Sequence, residues 1–194
     1  METIIPPRSK IEPSRKRFLF RAGMHGCSHV PEKIEERIRL IEALGLKLAT
    51  PIIFSELILI EQDGIERSFL PRKLQSSMSV SIFAGSLGKA IDKEISDLNT
   101  QNKVLDATLL DAWASVSMET VNDWFDTLLR NRFREGTIRF SPGYSDMSIT
   151  KNYEILERWL KNDLIKADKK TGILRPRKST VCLIGWKNVI GVKK

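Results

Sequence analysis

Apolar residues fall into short dense runs separated by turn signals and two long helical stretches. Residues 50–61 are rich in branched side chains (Ile52, Ile53, Leu57, Ile58, Leu59, Ile60), which predicts a strand. Asp63-Gly64 follows as a hairpin signal, with residues 65–70 as the return strand and Pro71 closing the unit. Alternation over 80–84 predicts another strand, and Phe18-Leu19-Phe20 a short one. Ile34, Ile38, Ile41 and Leu44 form the stripe of a helix. Pro31 opens that helix, Glu32, Glu35 and Glu36 suit its N-terminal dipole, and Gly45 is expected to end it. Gly85-Ser86-Leu87-Gly88 leads into a helix running to about Leu98.

The longest regular stretch covers 103–133, without Pro or Gly. Leu105, Leu109, Ala112, Val116 and Val121 keep helical spacing, while Ala107, Ala112, Ala114, Ser115 and Ser117 are small enough to admit another backbone closely. Residues 136–140 predict a strand. Ser148 or Thr150 can cap a helix ending near Asn162, with Ile155, Leu156 and Trp159 inward. Lys169-Lys170-Thr171-Gly172 reads as a turn, after which Ile173-Leu174 and residues 180–186 finish the sheet. Irregular alternation of helices and strands with a hairpin signal predicts the α+β class: a mixed or mainly antiparallel twisted sheet with flanking helices, one of them long.

With 194 residues, 41% of them hydrophobic, the chain suits one domain with a real core. Residues 1–16 carry Pro6, Pro7, Pro13 and many basic side chains, and read as a basic, loosely ordered arm ahead of a single unit over 17–194. Two cysteines without a pair motif exclude a disulfide scaffold and a thiolate-bound cluster, and a reducing cytoplasm is the expected setting. The longest apolar run, 52–60, is broken by Ser55 and Glu56 and is too short for a membrane span. The charged N-terminus has no apolar signal core. A net charge of +8 suits an acidic partner, whether nucleic acid or an acidic electron carrier, without choosing between them.

One segment concentrates binding chemistry: Arg139-Phe140-Ser141-Pro142-Gly143-Tyr144. Pro142 fixes its φ and Gly143 can take a positive one, so this turn can hold Arg139 and Tyr144 in one orientation. Arg offers a planar fork for a carboxylate; Tyr offers a ring face and a hydroxyl. The plainer alternative is a turn after a strand, with Arg139 solvated and Tyr144 in the core. Glu119, a turn beyond Ser115 on the long helix, is either a solvated acid or a partner for a cationic ligand group. His25, Cys27 and His29 gather three soft donors without a distant fourth, and no metal site is assigned to them. The Gly85–Gly88 loop lacks the Lys-Ser/Thr ending of a phosphate loop. No Ser-His-Asp or Cys-His arrangement is readable, and no catalytic residue is assigned. Arg175, Arg177, Lys178 and the basic arm could touch phosphates, but no nucleic-acid-binding motif accompanies them.

The Arg-x-x-x-Gly-Tyr pattern resembles the S-adenosylmethionine-binding motif of the activation (reactivation) domain of cobalamin-dependent methionine synthase. Three further stretches resemble that family in the same order: Ala84-Gly85-Ser86-Leu87-Gly88 before Ile91-Asp92; Leu109-Leu110-Asp111-Ala112 with Ser115 and Glu119; and Pro176-Arg177-Lys178-Ser179 before Ile184-Gly185. The resemblance spans about 52–186 and is nearer to the free-standing members than to the fused domain. It implies that Arg139 holds the methionine carboxylate and that Glu119 faces the sulfonium or α-ammonium. Gly143 and Tyr144 would shape the wall, the Phe140 and Ser141 backbone would meet the adenine, and the Gly85–Gly88 turn would line the pocket. It further implies a cytoplasmic component of methionine biosynthesis with little methyltransferase activity alone. Cobalamin would be carried by a partner, either a methionine synthase chain or another corrinoid protein, because this sequence has no Asp-x-His-x-x-Gly motif. A flavodoxin-like protein would supply electrons. The chain departs from the fused domain at Cys182-Leu183-Ile184, where an aromatic is expected and Trp186 is the nearest ring. Rival readings are a non-catalytic module that docks on a corrinoid protein, and a basic nucleic-acid-binding protein. A general methyltransferase would need the glycine-rich loop of a doubly wound domain.

Overall fold

Four stretches distant in sequence, three of them rich in branched and aromatic residues, pair into one antiparallel sheet. The computed structural model describes residues 1–24 and 30–187. In chain order the elements are β1 (Glu2–Ile4), α1 (Arg15–Arg21), α2 (Glu32–Leu48), β2 (Ile52–Leu59), β3 (Ser79–Ser86), α3 (Lys89–Thr100), α4 (Val104–Phe133), α5 (Lys151–Arg158), β4 (Lys166–Ala167), β5 (Leu174–Arg175) and β6 (Ser179–Trp186). The main sheet runs β1-β2-β3-β6, and β4 and β5 make a separate hairpin. Registers place Phe54 opposite Ala84 and Phe83 opposite Cys182.

Every residue of β3 is buried, as expected of a central strand covered on both faces. Period-two alternation sorts the sheet's side chains. Ile53, Phe83, Cys182, Ile184 and Trp186 join the core made with α1 to α4. Phe54, Ile58, Val80, Ile82, Val181 and Leu183 join a second core with Ile155, Leu156 and Leu160 around α5. The first core is aromatic. Phe125 on α4 meets Phe83 edge to face at 5.0 Å between centroids, and Phe133 lies 5.1 Å from Trp186. The α+β expectation, with its long helix and antiparallel sheet, is what the structure shows. Among the described residues, no helix is long and apolar enough to cross a membrane.

Several local expectations are corrected. Phe18-Leu19-Phe20 lies in α1, capped by Ser14, whose side chain accepts from the Arg17 amide. Residues 65–70 do not return as a strand: Ile65 makes one bridge to Ile60 and the chain then coils through a short 3-10 turn, Arg67–Phe69. β2 pairs with β3 instead, which buries a longer apolar run than a local hairpin could. Residues 136–140 contribute only isolated bridges, Gly136 to Trp186 and Phe140 to Leu183. Leu174 belongs to the small hairpin, not the main sheet. Within the 1–16 stretch read as a loose arm, Glu2–Ile4 pairs with β2, Ile11 is buried, and its carbonyl accepts from Ser117 of α4.

Gly45 does not end α2, which continues to Leu48. Its lack of a side chain serves packing, because a Cβ there would lie 2.4 Å from the Trp113 ring of α4. Gly45→Ala is therefore expected to lower stability by about 1–3 kcal/mol through overpacking. That outweighs the gain in helix propensity, roughly 1 kcal/mol. Urea unfolding checks this, and an unchanged midpoint would show that α2 and α4 are not in such close contact.

Candidate ligand site

The α4 helix supplies one wall of the site, and the turn after it folds back across that wall. Phe140 donates its amide to the Leu183 carbonyl at 2.9 Å and accepts from the Leu183 amide at 2.7 Å, fixing this stretch beside β6. Gly143 then adopts a φ of 96°, the left-handed region that favours glycine, and donates to the Met147 carbonyl at 2.8 Å. Asp146 reaches out of the same turn to accept from the Arg72 amide at 2.9 Å, and that hydrogen bond holds its carboxyl below the usual aspartate range. This contact draws the 3-10 turn Arg72–Leu74 alongside and puts Lys73 on the cavity wall.

The cavity so formed measures about 440 Å³. Glu119, Arg139, Phe140, Ser141 and Tyr144 all line it, so five of the six residues predicted from sequence meet in one hollow. Gly143 supports the turn from outside the lining. The Phe140 peptide groups, expected to face a ligand, are instead spent on Leu183. The Gly85–Gly88 turn is a further correction: Ser86 and Gly88 line a different hollow, with Thr50, Ile52 and Pro176. Trp186 is fully buried and donates its indole N–H to Ser81 at 2.8 Å, away from the cavity, so Cys182 takes the wall position where a ring was expected. His25, Cys27 and His29 lie outside the described residues.

Charge in the cavity is arranged as an alternating chain. Arg139 donates to the Glu119 carboxylate at 2.9 Å and to the Asp123 carboxylate at 3.1 Å, and Arg17 donates to the other oxygen of Asp123 at 2.9 Å. Within this chain two cations and two anions cancel, and Lys73 on the cavity wall adds a further cation. The Arg139 side chain is 18% exposed, and the carboxylates are 49% and 51% exposed. The plainer expectation is thus reversed at both ends: Arg139 is enclosed, and Tyr144, at 71% exposure, stands at the mouth. Burial works against the Arg139 charge, yet the Asp123 and Glu119 carboxylates bonded to it favour the charged form, and its pKa lies above the ordinary value.

Cys182 forms part of the inner wall, 3.3 Å from the Ser141 hydroxyl. Burial raises its pKa from 9.0 to about 11, against the lowering effects of Ser141 and Arg139. It is a neutral thiol at physiological pH. Sequence reasoning missed Asn122, Asp123, Thr180 and Lys73, and named Cys182 only within the stretch that stands where a ring was expected. Asp123 was findable, since four residues after Glu119 it shares that face of α4. Thr180 and Lys73 arrive from elements distant in sequence and carry no local signal.

The four stretches that resemble the methionine synthase activation domain are bonded to one another in space. Lys178 donates to the Asp111 carboxylate at 2.7 Å and to the Ser115 hydroxyl at 2.9 Å. Ser179 donates to Ser86 at 2.8 Å, the Leu87 amide to the Lys178 carbonyl at 3.0 Å, and the Arg177 amide to Asp92. Cys182, three residues further along β6, touches Ser141 of the Arg-Tyr segment.

The structure is thus a long helix laid across an antiparallel sheet, with a cavity where the helix meets the turn that follows it. The chain has the fold seen in a crystal structure of the MetH reactivation domain bound to AdoHcy, with a TM-score of 0.69 over 96% of this chain and 78% of that chain. Sequence identity is 12%, so the likeness is one of fold. No family model matches the chain, and the curated proteins hold no similar sequence.

Because Cys182 is buried and its thiolate disfavoured, native protein at pH 8 is expected to alkylate there at least about tenfold more slowly than the urea-unfolded chain. Peptide mapping after iodoacetamide treatment measures this. Equal labelling in both states would mean that the wall is open to reagent.

Proposed function

We propose that the chain binds S-adenosylmethionine in this cavity and supports reductive methylation, and so reactivation, of a corrinoid protein on a separate chain. The observation that carries this reading is the convergence of Arg139, Glu119 and Tyr144 on one cavity of about 440 Å³. That volume suits a small-molecule site. The fold match supplies the context, since the neighbour's structure holds AdoHcy.

The residues fit the ligand's chemistry. An α-amino acid end carries an anion and a cation side by side, and the cavity offers a guanidinium beside a carboxylate. In the Arg139–Glu119 pair the acid is half exposed, and a pair so open to water on one side contributes only about 1 kcal/mol. A ligand carboxylate enclosed against Arg139 contributes roughly 1.5–3 kcal/mol, enough to displace one of the resident acids. Glu119, released from Arg139, is then placed to meet the ammonium or sulfonium. Tyr144 and Ile138, both exposed at the mouth, offer an apolar rim to the adenosine. Among the described residues no backbone hydrogen bond engages the Ser141 peptide, unlike that of Phe140.

Bound S-adenosylmethionine supplies an electrophilic methyl group. The chain's contribution is to fix its orientation and to exclude water on one side, with the corrinoid partner closing the other. No side chain acts as base or nucleophile, in keeping with a Cys182 thiol held neutral. The reductant in this reading is a flavodoxin-like protein, whose acidic surface would suit the +8 charge. The setting is the cytoplasm.

One observation favours the second reading, a docking module that does not use the methyl donor: Arg139 is already paired twice without ligand. Calorimetry with S-adenosylmethionine and S-adenosylhomocysteine decides between them. Heat uptake with a raised melting temperature is expected, and Arg139→Ala should weaken binding by about tenfold or more. Silence from the wild-type chain, with binding to a corrinoid protein intact, would replace this reading with the docking one.

A further inference from the structure

Asn122 is the least exposed polar side chain on the cavity wall, at 1%. It lies on α4 three residues beyond Glu119 and one before Asp123, so it sits within a turn of both acids that hold Arg139. Thr180 of β6, also on the wall, donates its hydroxyl to the Asn122 Oδ1 at 3.0 Å. The same oxygen would lie 3.8 Å from a Cβ at Gly85, so it is directed towards β3 and β6. With Oδ1 spent there, the amide's two N–H donors are left, and among the described residues no hydrogen bond engages them. The amide nitrogen is not among the fully buried polar atoms left without a partner, so its donors open onto the cavity that Asn122 lines. At this enclosed wall a ligand acceptor competes with less water than at the exposed rim of Ile138 and Tyr144, and gains more there.

Resting on the proposed function, we infer that Asn122, oriented by Thr180, is the second reader of the ligand's carboxylate, beside Arg139. The guanidinium is shared between two resident acids, so a ligand carboxylate displacing one of them still has an oxygen to satisfy. The neighbouring amide donates to it. Asn122 is neutral, so it discriminates without adding charge: it accepts a carboxylate or another hydrogen-bond acceptor and leaves Glu119 to the cationic groups. Adenine is not the group read here, because the ionic chain of Arg17, Asp123, Arg139 and Glu119 borders this part of the wall, whereas the apolar Ile138 and Tyr144 stand at the mouth. The site thus selects S-adenosyl amino acids over nucleosides that lack the amino acid carboxylate.

The test is calorimetry on the full chain with three probes: S-adenosylmethionine, its decarboxylated analogue, and 5′-methylthioadenosine. Asn122→Leu is expected to weaken S-adenosylmethionine binding about tenfold or more, and to leave the two carboxylate-free probes within about twofold of wild type. Thr180→Val, which keeps the shape and frees the amide to rotate, should give a smaller loss of about threefold on S-adenosylmethionine alone. Melting curves of both variants establish that they fold, and Thr180→Val stands as the test should Asn122→Leu fail to. Equal losses on all three probes would mean a packing role, and no loss on any would remove Asn122 from recognition. In both cases the proposed function survives, provided that wild type binds S-adenosylmethionine. Wild type that binds none of the probes overturns this inference and the methyl-donor reading together.

Discussion

A guanidinium held between two carboxylates of one helix is the constraint on which the rest of the site depends. Glu119 and Asp123 are four apart on α4, so their carboxylates stand one turn from each other on the same face. Arg139 spans both, and with them it fixes where the chain goes after α4. Phe140 must then meet β6 edge-on, Ser141 comes to rest against Cys182, and the Gly143 turn brings Tyr144 to the mouth of the cavity. The individual ion pairs are weak, because both acids are half exposed. That weakness suits a binding site: the pairs place Arg139 in the absence of ligand, and a better-enclosed anion can take it over.

Behind this site the sheet and α4 form a rigid backing. β3 is buried along its whole length, and α4 lies against it through Phe125 on Phe83 and Phe133 on Trp186. Lys178 fastens the start of β6 to α4 through Asp111 and Ser115, at 12% exposure for the lysine side chain. Sequence stretches that look like separate ligand motifs are thus partly the joints of the scaffold. Their spacing along the chain reflects the need to close the sheet onto α4 as much as any contact with a ligand.

The elements most legible in the sequence were those whose pattern is long and unambiguous. α4 was readable because nearly thirty positions keep helical spacing with neither Pro nor Gly. β2 was readable from its branched residues and β3 from alternation over 80–84. Short elements failed where tertiary packing overrode local preference. Phe18-Leu19-Phe20 has strand-like composition, yet Ser14 caps the segment as a helix and Phe18 is completely buried against the helical core. Gly45 looked like a stop and is a clearance for Trp113. Asp63-Gly64 looked like the tip of a hairpin, but residues 65–70 gain more by coiling over the second core, where Ile65 and Leu70 are buried, than by pairing with β2.

By itself the sequence determined the α+β class, the long helix, and the chemical types needed at the site: a fixed cation, an acid on the helix and a ring beside a Pro-Gly turn. These follow from periodicity and side-chain chemistry, which act over a few residues. Only the tertiary structure decided that Arg139 is enclosed and Tyr144 exposed, that Asn122 and Thr180 meet across the wall, and that the Gly85–Gly88 turn faces another hollow. Those outcomes depend on which face of each strand is covered and on contacts between residues some sixty positions apart, such as the 58-residue separation of Asn122 and Thr180. No local pattern encodes them, because each partner's residue type would serve equally well in many other surroundings.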